Sequence, residues 1–84
     1  MVTILYFAWV RDAIGVSEEQ IDVPSRISTV RDLAHYLETR SVGHARAFAD
    51  PTRLRAAVNQ TMSTFDASIG GATEIAFFPP VTGG

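Results

Sequence analysis

Hydrophobic and polar positions at the start of the chain predict two strands. Residues 2–9 are rich in β-branched and aromatic side chains at both alternating positions, which is typical of a central strand covered on both faces or partly used for binding. Residues 11–17 predict a turn around Gly15. Polar and apolar side chains then alternate over residues 18–23, which predicts a second strand that pairs back on the first.

The middle of the chain predicts one main helix. Four apolar residues follow the i, i+3, i+4, i+7 spacing of a single helical face: Val30, Leu33, Ala34 and Leu37. Thr29 is a suitable N-cap, and Asp32 completes a variant of the capping box. We expect the helix to end near Arg40, with Gly43 as a C-terminal stop and a short extra turn at residues 45–48.

Three further strand segments follow the helix. Apolar and polar residues alternate over residues 54–59, and a tight turn at residues 59–60 leads to a short return strand at residues 62–64. A glycine turn at residues 70–71 precedes the last strand, residues 73–78.

This order of elements predicts an α+β chain with the β-grasp, or ubiquitin-like, fold. We expect a mixed four- to five-stranded sheet with one main helix packed on one face, and with the first and last strands side by side at its centre. The predicted domain covers residues 1–78, and residues 79–84 are expected to form a flexible C-terminal tail that ends in Gly-Gly.

Chain length, net charge and composition limit the classes of function that this protein can have. A chain of 84 residues forms one small domain, which argues against a large internal active-site cavity. The net charge of −2 and the scattered arginines give no footprint for nucleic acid. The apolar N-terminal segment is too short to cross a membrane. The absence of cysteine fits a reducing compartment, so we expect a cytoplasmic protein.

Candidate catalytic and metal-binding side chains are few. His35 and His44 are too far apart and too differently placed to form a metal site, so no metal is expected and each is interpreted as a surface or hydrogen-bonded histidine. Glu18 and Glu19 are interpreted as part of a solvated acidic edge.

The C-terminal run is the main candidate for chemistry. Gly83 and Gly84 provide the thinnest stem that can carry a terminal carboxylate into a partner's active site, since glycine has no Cβ. Pro79 and Pro80 forbid helix and favour an extended approach. Extended at about 3.3 Å per residue, the tail would reach roughly 20 Å.

Four segments of the chain resemble the corresponding segments of a known protein family. The chain is similar to the small subunit of molybdopterin synthase in four segments: residues 5–8 with Val10-Arg11, residues 56–61 (AAVNQT), Phe65-Asp66, and residues 74–84 (EIAFFPPVTGG). The last of these segments is the most specific.

The resemblance implies a sulfur carrier for molybdenum cofactor synthesis. In that family an adenylating enzyme consumes ATP to convert the terminal carboxylate, here at Gly84, into an acyl-adenylate, and a sulfur donor converts this into a thiocarboxylate. The sulfur then passes to a cyclic pterin phosphate inside the large synthase subunit, with which a heterotetramer is expected. The chain itself would bind no cofactor and would have no catalytic site of its own.

Docking on the large subunit is expected to use the sheet face beside the tail. By the resemblance, the apolar anchors are Phe7, Met62 and Phe78, and the tail residues Pro79, Pro80, Val81 and Thr82 contact the partner. In a domain of this size, these large side chains could also simply belong to the core. Arg11 is interpreted as a solvated turn charge or as a contact to the activating enzyme.

Two alternatives to this function stay open. The first is a sulfur carrier for another pathway, such as thiamin thiazole or cysteine formation, which would use the same chemistry at Gly84. The second is a β-grasp interaction module whose tail is chemically idle.

Overall fold

The computed structural model describes residues 1–80, and within this range it contains five strands and three helices. The strands are β1 (Val2–Tyr6), β2 (Glu18–Ile21), β3 (Arg55–Val58), β4 (Thr61–Ser63) and β5 (Glu74–Phe78). The helices are α1 (Ala8–Ile14), α2 (Val30–Glu38) and α3 (Val42–Phe48), and a 3₁₀ turn covers Pro51–Arg53. The predictions for Val81, Thr82, Gly83 and Gly84 lie outside the described residues.

The five strands form one mixed sheet in the order β2-β1-β5-β3-β4. The two central strands, β1 and β5, run parallel, and every other neighbouring pair is antiparallel. The first and last strands therefore lie side by side at the centre, as the sequence predicts for a β-grasp fold. None of the helices in residues 1–80 is long and apolar enough to span a bilayer.

Helix α2 confirms the predicted cap and apolar stripe. Thr29 Oγ1 accepts the Asp32 N–H at 3.1 Å, and Asp32 Oδ2 accepts the Thr29 N–H at 3.3 Å, so two otherwise free donors of the first turn are satisfied. All four stripe residues are buried in the core that also contains Ile4, Tyr6, Ile75 and Phe77 of the central strands. This core fills one face of the sheet.

The N-terminal segment differs from its prediction. The predicted strand over residues 2–9 ends at Tyr6, and the predicted turn is helix α1, which ends at Gly15 in the left-handed conformation at φ +97°. Val10 is fully buried on α1, because a helix, unlike a continued strand, lets that side chain return to the core. The apolar spacing of Val10 and Ile14, followed by Gly15, is the sequence signal for this helix.

The prediction that Gly43 stops the main helix is also wrong. Gly43 lies inside α3, whose N-cap is Ser41, and this helix replaces the predicted short turn. A Cβ at Gly43 would collide with the Ala13 carbonyl oxygen of α1. The glycine is therefore explained by the close approach of two helices.

Glu19 forms a partly buried polar cluster, so its interpretation as a solvated edge residue is wrong. Its Oε2 accepts the Tyr6 hydroxyl at 2.6 Å and lies 2.8 Å from His44 Nε2. His44 is only 6% exposed, and its Nδ1 lies 2.7 Å from Ser41 Oγ, a hydroxyl that can donate or accept. The cluster ties β1 and β2 to α3, and His44 is indeed a hydrogen-bonded histidine.

The cluster favours the ionised form of Glu19. Burial opposes ionisation, but the hydrogen bonds from Tyr6 and His44, together with the Arg40 guanidinium 3.9 Å from Oε1, outweigh it and lower the pKa of this carboxyl. Burial, followed by the hydrogen bond to Glu19, raises the pKa of the Tyr6 hydroxyl far above its ordinary value. The carboxylate is thus the charged acceptor on which the cluster depends.

Replacing Glu19 by glutamine is expected to reduce the free energy of unfolding by about 1–2 kcal/mol at neutral pH, because a neutral amide is a weaker acceptor than a carboxylate. A carboxyl with a lowered folded-state pKa stabilises the protein fully above its unfolded pKa of about 4.3 and loses that contribution as the pH falls through the folded pKa. The difference between wild type and Glu19→Gln should therefore shrink in acid. Urea unfolding at a series of pH values measures it.

The matched control is Glu18→Gln, on the exposed neighbouring position of the same strand. This substitution should change stability by less than about 0.5 kcal/mol at any pH. A difference for Glu19→Gln that is equally large in acid and at neutral pH would contradict the role of the charge.

Candidate functional site

Strands β1, β3 and β4 each begin or end at the edge of the sheet from which the tail leaves β5. Because β1 and β5 are parallel, Phe7 and Pro79 follow the same ends of adjacent strands. Because β3 is antiparallel to β5, with Arg55 opposite Phe78, the chain that enters β3 also lies at this edge. The chain that leaves β4 also lies at this edge, because Ser63, the last residue of β4, is paired with Ala56 near the start of β3. The sheet thus surrounds the root of the tail with residues from three other strands.

One face of the sheet is free of the helical core. Ile75 and Phe77 of β5 point into the core and are fully buried, so Ala76 and Phe78 point to the opposite face. The strand registers place one row of apolar side chains across this face, in the order Leu5, Ala76, Ala57 and Met62. We call this surface, together with Phe78 and Phe7, the open face.

The structure brings the three predicted anchors onto the open face. Phe7 is 47% exposed and Met62 is 65% exposed, while Phe78 is half-buried. Phe7 is extended (φ −124°, ψ 154°) and its N–H donates to the Phe77 carbonyl at 3.2 Å, so the alternation of β1 continues through it. Phe7 and Met62 are not core residues within this domain.

The chain reverses directly after Phe7. Ala8 has φ +54°, a left-handed conformation that costs energy for a residue with a Cβ, and it begins α1. This reversal ends β1 and leaves the Phe7 side chain beside the root of the tail.

Asn59 holds the strand that carries the tail, a role that the sequence did not reveal. It forms the predicted tight turn with Gln60, both at positive φ (48° and 68°). Its Oδ1 accepts the Thr73 N–H at 2.9 Å, the Thr73 hydroxyl at 3.2 Å and the Glu74 N–H at 3.1 Å. Its own N–H donates to the Glu74 carbonyl at 2.8 Å. The β3–β4 turn therefore fixes the beginning of β5.

Cationic side chains flank the tail edge. The Arg53 guanidinium lies over the Trp9 ring, 4.6 Å from its centroid, and Arg55 is exposed opposite Phe78. Arg11 lies on α1, and its guanidinium is 3.8 Å from the exposed Asp12 carboxylate. Such an exposed pair contributes little to stability, so the Arg11 charge remains available.

The described residues assemble no catalytic group at this edge. Within residues 1–80 no set of three or more His, Cys, Asp or Glu side chains could hold a metal ion. Ser41, His44 and Glu19 are hydrogen-bonded in series, but Ser41 Oγ already accepts the His44 N–H as the N-cap of α3. This series is therefore a capping arrangement within the domain.

Comparison with known proteins places this arrangement in a family. The profile of the ThiS family matches residues 4–84. The chain belongs to the ThiS family. Over their full lengths, this ThiS-family chain is 40% identical to the molybdopterin synthase sulfur carrier subunit of Escherichia coli K12, with 84 residues aligned.

Solved structures support the fold of this ThiS-family chain. It resembles a putative molybdopterin converting factor, subunit 1, from Pyrococcus furiosus, with a TM-score of 0.75, 30% identity, and coverage of 95% of this chain and 97% of that one. It also resembles SAMP1 from Haloferax volcanii, with a TM-score of 0.70, 23% identity, and coverage of 99% and 98%. The predicted β-grasp fold is confirmed by these neighbours.

Replacing Asn59 by glycine tests its hold on β5. Glycine tolerates the positive φ, so this change removes only the side-chain acceptor of three hydrogen bonds. We expect a loss of about 1–2 kcal/mol in unfolding free energy and faster hydrogen exchange at the Thr73 and Glu74 amides. Amide exchange followed by NMR measures both sites.

Gln60→Gly is the control, since it changes the other positive-φ residue of the same turn. It should leave the two amides protected. Unchanged exchange at Thr73 and Glu74 in Asn59→Gly would show that the side chain does not hold the strand.

Proposed function

We propose that this chain is the sulfur carrier subunit of a molybdopterin synthase and that Gly84 carries the sulfur. The main support is the full-length 40% identity to a molybdopterin synthase sulfur carrier subunit. The geometry agrees with that role, because the run that leads to Gly-Gly leaves a central strand beside an exposed apolar face. A residue at the end of this run can enter a partner while the open face rests on that partner's surface.

The proposed loading has two steps. In the first, the terminal carboxylate of Gly84 attacks the α-phosphate of ATP on an activating enzyme, which gives an acyl-adenylate and releases pyrophosphate. In the second, sulfur from a donor replaces AMP at the carbonyl carbon and leaves a thiocarboxylate. A carboxylate is a poor electrophile and the mixed anhydride is a good one, which is why ATP is consumed. We place these reactions in the cytoplasm.

The large synthase subunit is proposed to receive the loaded tail. The described residues supply no nucleophile, base and orienting group at the tail edge, so acid–base chemistry on the pterin precursor falls to the partner. The carrier is in this sense a cosubstrate, and it binds no cofactor. One carrier delivers one sulfur atom, so a dithiolene needs two deliveries and an interface that dissociates between them. We expect a heterotetramer of two small and two large subunits.

The open face is proposed as the docking surface. Its apolar row crosses four strands, with the exposed Met62 at one end and Phe78 and Phe7 close to the tail. Large apolar side chains near the centre of an interface commonly dominate its binding energy. Docking there would fix the direction in which Pro79 and Pro80 lead the tail.

Removing Gly83 and Gly84 separates the chemistry from the docking. Wild-type protein incubated with ATP, an activating enzyme and a sulfur source should exchange one oxygen atom of its C-terminal carboxylate for sulfur. Its mass should increase by the difference between these two atoms. The shortened protein should bind the large subunit through the open face but deliver no sulfur to the pterin precursor. Intact-mass analysis and a synthase assay measure the two properties.

Each contrary outcome has a distinct meaning. Full activity of the shortened protein would indicate an interaction module. A loaded wild-type protein that gives no sulfur to the pterin precursor with its cognate large subunit would favour a carrier of another pathway.

Replacing Met62 by alanine tests the open face. We expect the dissociation constant for the cognate large subunit to rise about tenfold, because an exposed apolar anchor is lost. Val42→Ala is a matched control, since Val42 is 69% exposed but lies on α3, on the other side of the sheet. Titration calorimetry compares the two, and equal affinities for both variants would exclude Met62 from the interface.

A further inference from the structure

An open cleft lies beside the docking surface, next to the root of the tail. It has a volume of about 350 Å³ and lies between the Pro51–Arg53 turn, the N-terminus of α2 and the chain that leaves β4. Its lining includes Leu54, Phe65, Thr52 and Thr64, with Arg31 and Arg55 at either side. It is open to solvent and has room for one or two side chains of a partner.

Arg55 gives the cleft an excess positive charge. Its Nη1 donates to the Leu54 carbonyl at 2.8 Å and to the Thr52 carbonyl at 3.4 Å, so the guanidinium is held against the Pro51–Arg53 turn. No carboxylate of residues 1–80 forms a salt bridge with it. A guanidinium has five N–H donors, so most remain free for a ligand.

The other charged groups in and beside the cleft already have hydrogen-bond partners within the domain. The Arg31 guanidinium donates to Asp66 Oδ1 at 3.1 Å and lies 5.8 Å from the centroid of the Phe65 ring. Asp50, at the start of the turn, accepts from the backbone and hydroxyl of Thr52. The cleft thus combines the partly exposed Phe65 ring, hydroxyl groups and one cation that has no carboxylate partner among residues 1–80.

We propose that this cleft binds an acidic segment of the large subunit, with a carboxylate on Arg55 and a neighbouring apolar side chain on the partly exposed ring of Phe65. The proposal rests on the proposed function, because it extends the docking surface of the carrier. Arg55 is opposite Phe78 in the sheet, so the open face and the cleft share this residue and form one continuous surface around the tail root.

The acidic partner explains two properties that docking requires. Complementary charge speeds association and fixes orientation, and it weakens with salt. A carboxylate on Arg55 would thus orient the carrier, so that the tail enters the partner, without making the complex too stable to dissociate. The apolar contacts on the open face supply most of the affinity.

Charge reversal at Arg55 provides the first test. We expect Arg55→Glu to weaken binding to the cognate large subunit at least about tenfold at low salt and to remove most of the salt dependence of the affinity. Arg55→Lys, which keeps the positive charge, should retain both the affinity and its salt dependence. Arg26→Glu is the control, because Arg26 lines a separate cleft on the outer face of α2. Loading of Gly84 with sulfur is measured for each variant, to show that it is folded and recognised by the activating enzyme.

Site-specific crosslinking provides the second test. The chain has no cysteine, so Thr64→Cys accepts a single benzophenone label in the cleft. On illumination with the large subunit, the crosslinked partner peptide should contain Asp or Glu. A label at Met62→Cys reports docking of the open face, at a protein concentration high enough to saturate the complex that loss of this anchor weakens, and a label at Val42→Cys should give no crosslink.

The outcomes of these two tests distinguish failure of the cleft proposal from failure of the proposed function. Efficient crosslinking from Met62→Cys but none from Thr64→Cys would overturn the cleft proposal alone, as would unchanged affinity of Arg55→Glu. If wild-type protein neither binds the large subunit nor transfers sulfur, the proposed function fails and the cleft proposal fails with it.

Discussion

The parallel pairing of β1 with β5 at the centre of the sheet is the constraint on which the other features depend. Its register, from Thr3 opposite Glu74 to Tyr6 opposite Phe77, makes both strands end at one edge. Phe7 and the root of the tail therefore lie next to each other, and the antiparallel pairing of β3 with β5 brings the chain entering β3 to the same edge. Asn59 secures the other end of β5, so the strand that leads to the tail is fixed at its beginning and is buried along its core side.

The two faces of the sheet serve different purposes. On the core face, Ile75 and Phe77 pack against the helices. At the border of this core, the Glu19 carboxylate is hydrogen-bonded to both Tyr6 and His44. The open face keeps Met62 and Phe7 exposed, and this is the apolar area that we propose for docking.

Local patterns predicted most of the fold, and tertiary contacts account for what they missed. The cap at Thr29, the stripe on α2 and the turn at Asn59 were recognisable because their signals lie within a few residues. Helix α1 was missed because the β-branched and aromatic residues before it favour a strand, and Gly43 was misread because its partner is Ala13 on another helix. The hydrogen-bond partners of Glu19, and the three hydrogen bonds that the Asn59 side chain accepts, involve segments distant in sequence, so no local pattern predicts them. For the candidate site, the glycines and prolines of the run ending in Gly84 point to a reactive tail and the family resemblance supplies its chemistry, whereas the Arg55 cleft is visible only in the fold.

A structure of the carrier in complex with its cognate large subunit tests the central claim most directly. We predict an extended tail whose Gly84 lies in the partner's active site, with the row from Leu5 to Met62 covered by the partner. A complex in which that row faces solvent, or in which Gly84 lies against its own domain, would contradict it.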